Sequence, residues 1–353
     1  MRIEQLTFTR FFAAIIIVIY HSAMSVFPFS HHSLAFIFNH ASIGVSYFFT
    51  LSGFVMVIAY HSNSRVSVFD FLKNRFARIY PVFFLAIVIL LAYARKVNYR
   101  IDNADLCLSL HLLQAWVPGK ALTLNIPGWS LSVEWFFYIV FPFAFNYLYS
   151  KIKYKKLVVP VFLIWALSQV ALNVLDSSAF YKGYPSKSHD LLYYFPLMHL
   201  NEFLAGNLLG LFFVNRLKNK HRNFDWAIAG VIFTMLLALY FNRGINVHNG
   251  IFAVFFCPLI VLLSLNTGKI SSLLRAKPMV FLGEISYGIY ILQFPLTFWS
   301  LELCKVLKID DYAAKFYVYL TVLLICSALS YVFLEKPIRN WLKRLKITIT
   351  YHK

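Results

Sequence analysis

The sequence predicts an all-α fold: a polytopic bundle of about ten membrane-spanning helices with both termini on the cytoplasmic side. Three observations lead there. Hydrophobic residues make up 60% of the 353-residue chain, above the roughly half found in soluble domains. They are gathered in runs long enough to cross a bilayer. Of the 33 lysines and arginines, 23 fall in every second connecting segment, among them Arg65 to Arg78, Lys151 to Lys156, Arg216 to Arg222 and the stretch after Lys336. By the positive-inside rule those segments face the cytoplasm.

The expected spans are 8–28, 41–61, 79–97, 131–149, 157–175, 193–214, 226–242, 248–266, 280–303 and 313–334. Each is long enough to cross with some tilt. The first carries Arg10 and His21 and lacks a small-residue cleavage site, so it is expected to be a retained helix. The third opens at Ile79-Tyr80-Pro81. The fourth follows the longest outer loop, 98–130, which ends in Pro127-Gly128-Trp129-Ser130. The sixth holds Gly206 and Gly210, spaced as in close helix packing, and follows a polar outer loop at 176–192. After the tenth, Glu335 closes the apolar sequence, and a basic tail, 341–353, follows the spanning domain of 1–340.

Composition narrows the function classes. The formal charge of +19 carries no basic stripe on a soluble domain, so the expected partner is membrane lipid with anionic headgroups and not nucleic acid. Aromatic residues, 19% of the chain, flank the apolar runs as interfacial belts do. Cys107, Cys257, Cys304 and Cys326 are scattered without a C-x-x-C pair. His31, His32 and His40 share an outer loop with no nearby acidic ligand, and no metal is expected.

The candidate chemistry begins inside the first span. Ionisable groups in a spanning helix are costly and point to function. His21 lies eleven positions after Arg10, which is about three turns plus 20° and about 16 Å along the axis. An anion anchor near one surface and a proton acceptor deep in the same helix would result. Arg75 and Arg78 share a helix face and could clamp a phosphate; plain headgroup anchoring is the alternative. Ser130 and Glu134 also share a face, within expected reach of His21, whose tautomer the carboxylate could fix. Alternatively Ser130 caps a helix and Glu134 is its ordinary N-terminal charge. Glu202, Glu284 and Glu335 lie in or beside apolar segments, where internal salt bridges are a plain role.

Taken together, these segments resemble the acyltransferase 3 family of integral membrane acyltransferases. The resemblance rests on Arg10-x10-His21, on Phe48-Phe49-Thr50-Leu51-Ser52-Gly53-Phe54, and on Arg75-x-x-Arg78-Ile79-x-Pro81. It continues with Trp129-Ser130-Leu131-x-x-Glu134, Ile285-Ser286-Tyr287-Gly288-Ile289-Tyr290 and Glu335-x-Pro337-x-Arg339. Two departures stand out: Gln293 occupies a position where many relatives carry a His, and His199 stands where an Arg is common. A stand-alone form, without a fused extracytoplasmic domain, is expected.

The resemblance implies an enzyme of the bacterial inner membrane, similar to O-antigen and exopolysaccharide O-acetyltransferases. It would take an acetyl or other short acyl group from cytoplasmic acyl-CoA, acetyl-CoA above all, to a hydroxyl of a surface glycan or its lipid-linked precursor. On this reading Arg10, Arg75 and Arg78 hold the coenzyme A phosphates, His21 is the general base and Glu134 orients it. Ser130 and Trp129 shape the acceptor or thioester pocket, and Tyr287 and Glu335 belong to the substrate site. Two other classes stay in view: a lipid-linked polysaccharide flippase or polymerase, and a proton-coupled transporter relaying through Arg10 and His21.

Overall fold

The computed structural model describes residues 3–242 and 244–344. Arg2, and the expected basic tail beyond Arg344, lie outside the described residues. Among the described residues the regular secondary structure is helical. The helices are α1 (Gln5–Ser22), α2 (His32–Phe38), α3 (Ser42–Tyr60), α4 (Val68–Lys96), α5 (Asn103–Leu110), α6 (Gly128–Ala144), α7 (Lys155–Asp176) and α8 (Lys187–Tyr193). After them come α9 (Leu200–Phe212), α10 (Asp225–Tyr240), α11 (Ala253–Leu265), α12 (Lys269–Leu274), α13 (Lys277–Val306), α14 (Tyr312–Ser330) and α15 (Lys336–Arg344).

Each of the ten expected spans has a helix. Among the described residues eight helical segments are long and apolar enough to cross a membrane; α10 and α11, with 16 and 13 residues, are shorter. The first span ends early. α1 stops at Ser22, not at 28, because Ala23 leaves helical geometry at φ −141° while its amide still bonds to the Ile19 carbonyl. The third begins early. Ser67 caps α4 through the Asp70 amide at 3.3 Å, and Pro81 sits inside the helix. Proline is tolerated within membrane helices, so Arg75 and Arg78 lie within α4 rather than ahead of it.

Lipid is as apolar as leucine, so close packing must hold such helices together. Here the Gly206/Gly210 pair does so. A Cβ on Gly206 would collide with the Thr50 carbonyl of α3, and one on Gly53 with the Phe203 carbonyl of α9. α1 and α13 approach in the same way, with Gly283 against the Thr7 carbonyl. Phe137 and Phe203, both fully buried, stack at 4.6 Å between α6 and α9. By contrast α7 shows Val159, Phe162, Leu167 and Val174 on its outer face, as a lipid-facing helix does.

The 98–130 loop is strapped onto the helix ends beneath it. Ser132 donates to the Leu112 carbonyl at 2.6 Å, and Asn125 to the Ile291 carbonyl at 3.1 Å. Lys120 pairs with Asp105 at 2.5 Å. The Ala104 amide holds the Asp102 carboxyl below the usual carboxylate range, with Lys120 adding to the effect.

Candidate active site

A cavity of about 520 Å³ opens between α1, α3, α4, α6, α13 and the segment joining α14 to α15. Its mouth is formed by Thr7, Tyr60, Asn74, Tyr331 and Arg339; its far end by Phe48, Phe49, Ser130, Leu131 and Tyr290. The mouth therefore lies at the ends of helices flanked by the basic clusters. Between mouth and end is a charged neck: Arg10 from α1, Arg75 and Arg78 from α4, Glu134 from α6, Tyr287 from α13 and Glu335. Glu335 is carried on a widened π-type turn, Tyr331–Glu335, an irregularity often found at functional sites.

Neighbouring groups fix the neck. The Arg75 guanidinium lies 5.1 Å from the Phe71 ring, 5.6 Å from Tyr138 and 5.9 Å from Tyr60, an aromatic cage that holds a cation without neutralising it. Arg10 sits 6.0 Å from the Phe48 ring. The Tyr138 hydroxyl donates to Glu134 at 2.5 Å, and Ser52 approaches the same oxygen at 3.4 Å. Tyr287 donates to the Ile79 carbonyl at 2.5 Å, and Ser130 shares a hydrogen bond of 2.8 Å with Tyr290.

Among the described residues no carboxylate comes within 4.0 Å of Arg10, Arg75 or Arg78. Arg75 Nε and Glu335 Oε1 are buried without a hydrogen-bond partner. Buried charges are normally paired. Three guanidiniums in one neck, without a direct ion pair although Glu134 and Glu335 share it, make a site for an anionic, phosphate-like group.

Seven of the nine sequence-selected residues meet here: Arg10, Arg75, Arg78, Ser130, Glu134, Tyr287 and Glu335. His21 and Trp129 do not. His21 is exposed at the last turn of α1 with its ring beside Tyr20, not deep within a span. Buried Ala14, Ile17 and Val18 separate its level from the neck. Glu134 makes its hydrogen bonds to Tyr138 and Ser52, at the level of Arg10, so it does not orient His21 as expected. Ser130 sits in the first turn of α6, donating to the Pro127 carbonyl at 2.9 Å rather than capping an amide. Trp129 faces outward into a second cluster, 4.9 Å from Tyr194, 5.2 Å from His199 and 5.9 Å from His248.

In that outer cluster Glu202 is fully buried and bonds through one oxygen to Ser46 and through the other to His199 Nδ1 at 2.9 Å. Sequence reasoning passed over Tyr138, Tyr290, Glu284 and Arg339 as lining residues. Tyr138 carried a signal, since it lies four residues past Glu134 and so on its face. Tyr290 carried its place at the end of the Ile285–Tyr290 segment on which the family resemblance partly rests.

Comparison with known proteins gives the same class. Residues 3–335 match the model of a family described as an acyltransferase domain. The chain is 28% identical over 321 residues to acyltransferase MdmB of Streptomyces mycarofaciens, covering 83% of this chain and 79% of that one. It is 24% identical over 325 residues to O-acetyltransferase OatA of Staphylococcus aureus, covering 84% of this chain and 52% of the relative. It is 26% identical over 343 residues to the putative peptidoglycan O-acetyltransferase YrhL of Bacillus subtilis, covering 86% and 51%. The chain thus spans about half the length of the latter two. No solved structure gives a significant match.

Proposed function

This chain belongs to the acyltransferase family whose model it matches, and on that premise we propose that it moves an acetyl group from acetyl-CoA to a hydroxyl of a cell-surface glycan or its lipid-linked precursor, across the bacterial inner membrane. The carrying observation is a neck of three arginines without direct ion pairs, one of which, Arg10, lies three helical turns from His21 on α1.

The distances support a coenzyme A donor. Along its arm about thirteen bonds separate phosphorus from sulfur, which at roughly 1.2 Å per bond of extended chain is about 16 Å. Arg10 and His21 are about 16 Å apart along the axis. A donor whose phosphates rest on Arg10, Arg75 and Arg78 therefore carries its thioester past Ala14 and Ile17 to the level of His21. The mouth lies on the side of the basic clusters, where cytoplasmic coenzyme A would be drawn in. His21, exposed at the opposite end, is open to an acceptor from outside.

There His21 takes the proton of the acceptor hydroxyl as its oxygen attacks the thioester carbonyl. The carbon–sulfur bond breaks, the acetyl ester forms, and the proton passes to the departing thiolate. Glu134 serves at the neck, holding Tyr138 and offsetting the arginines. Ser130 and Tyr290 close the inner end of the cavity, and Trp129 belongs to the acceptor side.

The test is mass spectrometry of surface polysaccharide from cells with wild-type protein, with His21→Ala and with none. Alkali-labile acetyl groups should appear with wild type only, since losing a general base costs about 10²–10⁴-fold. Full acetylation by a folded His21→Ala protein would remove the base. Altered chain length or export, without acetyl gain, would favour a polymerase or flippase.

A further inference from the structure

Resting on the acyl-CoA reading, we propose that Glu335 and Arg339 form a nucleotide subsite: Arg339 takes the 3′-phosphate of coenzyme A, and Glu335 accepts an N–H or O–H from its adenosine. The donor would then be a free coenzyme A thioester and not an acyl group on a carrier-protein phosphopantetheine.

The first ground is order in space. Arg339 lies four residues past Glu335, about 6 Å towards the mouth, and both line the cavity. Glu335 lies within electrostatic reach of Arg10 and Arg78 on one side and Arg339 on the other. The cavity thus sets Glu335 between the neck arginines and Arg339, with a second lining carboxylate, Glu284, within its electrostatic reach. Coenzyme A has the same pattern: a pyrophosphate, then a nucleoside bearing neutral hydrogen-bond donors, then a 3′-phosphate.

The second ground is the carboxylate itself. Glu335 is only 5% exposed, and its Oε1 has no hydrogen-bond partner. A carboxylate beside a phosphate site repels the ligand unless it accepts a hydrogen bond from it. Turning the carboxylate about its last torsion, a broad and soft one, brings either oxygen to the ligand. A phosphopantetheine donor would offer nothing to Arg339 and no nucleoside to Glu335.

The experiment is calorimetric titration of the full chain in lipid nanodiscs with acetyl-CoA, acetyl-3′-dephospho-CoA and S-acetyl-4′-phosphopantetheine. Wild type, Arg339→Gln and Glu335→Gln are compared, each first shown to be monodisperse with an unchanged melting point. Wild type should prefer acetyl-CoA to the dephospho form by about tenfold or more, the worth of one charge-assisted hydrogen bond. Arg339→Gln should bind the two alike. Glu335→Gln should weaken both nucleotide donors relative to S-acetyl-4′-phosphopantetheine, whose binding should hold or tighten as the nearby negative charge is lost. A preference for the 3′-phosphate that survives in Arg339→Gln overturns the Arg339 assignment. Equal weakening of all three donors in Glu335→Gln overturns the nucleoside contact. Should wild type bind none of the three, the acyl-CoA reading itself fails, and with it this subsite.

Discussion

The neck of the cavity and the cluster behind Trp129 are both charged, both within the bundle, and built on opposite logic. In the outer cluster both carboxylate oxygens of Glu202 and both ring nitrogens of His199 have partners, the last being the Tyr193 carbonyl at 3.0 Å. In the neck, Arg75 Nε and Glu335 Oε1 have none, and among the described residues no ion pair joins Arg10, Arg75 or Arg78 to a carboxylate. A buried network closed on itself rigidifies the fold. One left open is suited to bind something from outside. Charge within the membrane is thus a weak guide to function until the pairing is known.

The strongest way to break this contrast is Glu202→Ala. It leaves the His199 side of a fully buried pair alone, at a cost of about 3–5 kcal/mol. A large fall in the melting temperature in detergent is expected, and replacing His199 with Leu and Glu202 with Met together should recover much of it. Unchanged stability in the single variant would place the cluster among the open sites.

Arg78→Ala should act the other way. With no ion pair to lose, the protein should melt at or near the wild-type temperature. Its dissociation constant for acetyl-CoA should rise about tenfold to a hundredfold, and the difference should shrink as salt is raised. A marked loss of stability with intact binding would make Arg78 a structural cation.

The smallest change sharpens the boundary between the two regions. Tyr138→Phe keeps the ring that cages Arg75 and removes only the hydroxyl donated to Glu134. About 1 kcal/mol is at stake, or roughly a fivefold loss of kcat/KM. Tyr138→Leu, which also opens the cage, should lose more in KM. Equal effects of the two would show that the ring, and not the hydroxyl, is what matters.

Much of this molecule is legible in the sequence. Runs of apolar residues determine helices because lipid leaves no other way to satisfy the backbone, and ten such runs gave ten helices. Gly206 and Gly210 marked a close helix contact because only glycine lets backbones approach so nearly. Seven of nine selected residues converge on one cavity, since motifs on different helices were each charged or polar where lipid forbids it. Span edges were less legible: Pro81 reads as a boundary yet lies inside α4, and α1 ends six residues short of the expected position.

What the sequence by itself determined is which residues are out of place in a membrane, and hence the bundle and its polar centre. What only the tertiary structure decided is which of those residues keep each other company. Glu134 and His21 read in sequence as partners, yet Glu134 bonds to Tyr138 and Ser52 while His21 stands exposed three turns above Arg10. Glu202 reads in sequence as one more internal charge, yet both of its oxygens have partners. The reason is physical. The cost of burying a charge is a property of the residue and its surroundings of lipid, readable from composition along the chain. The compensation for that cost depends on contacts over a few ångströms between helices far apart in sequence, and those exist only once the helices have packed.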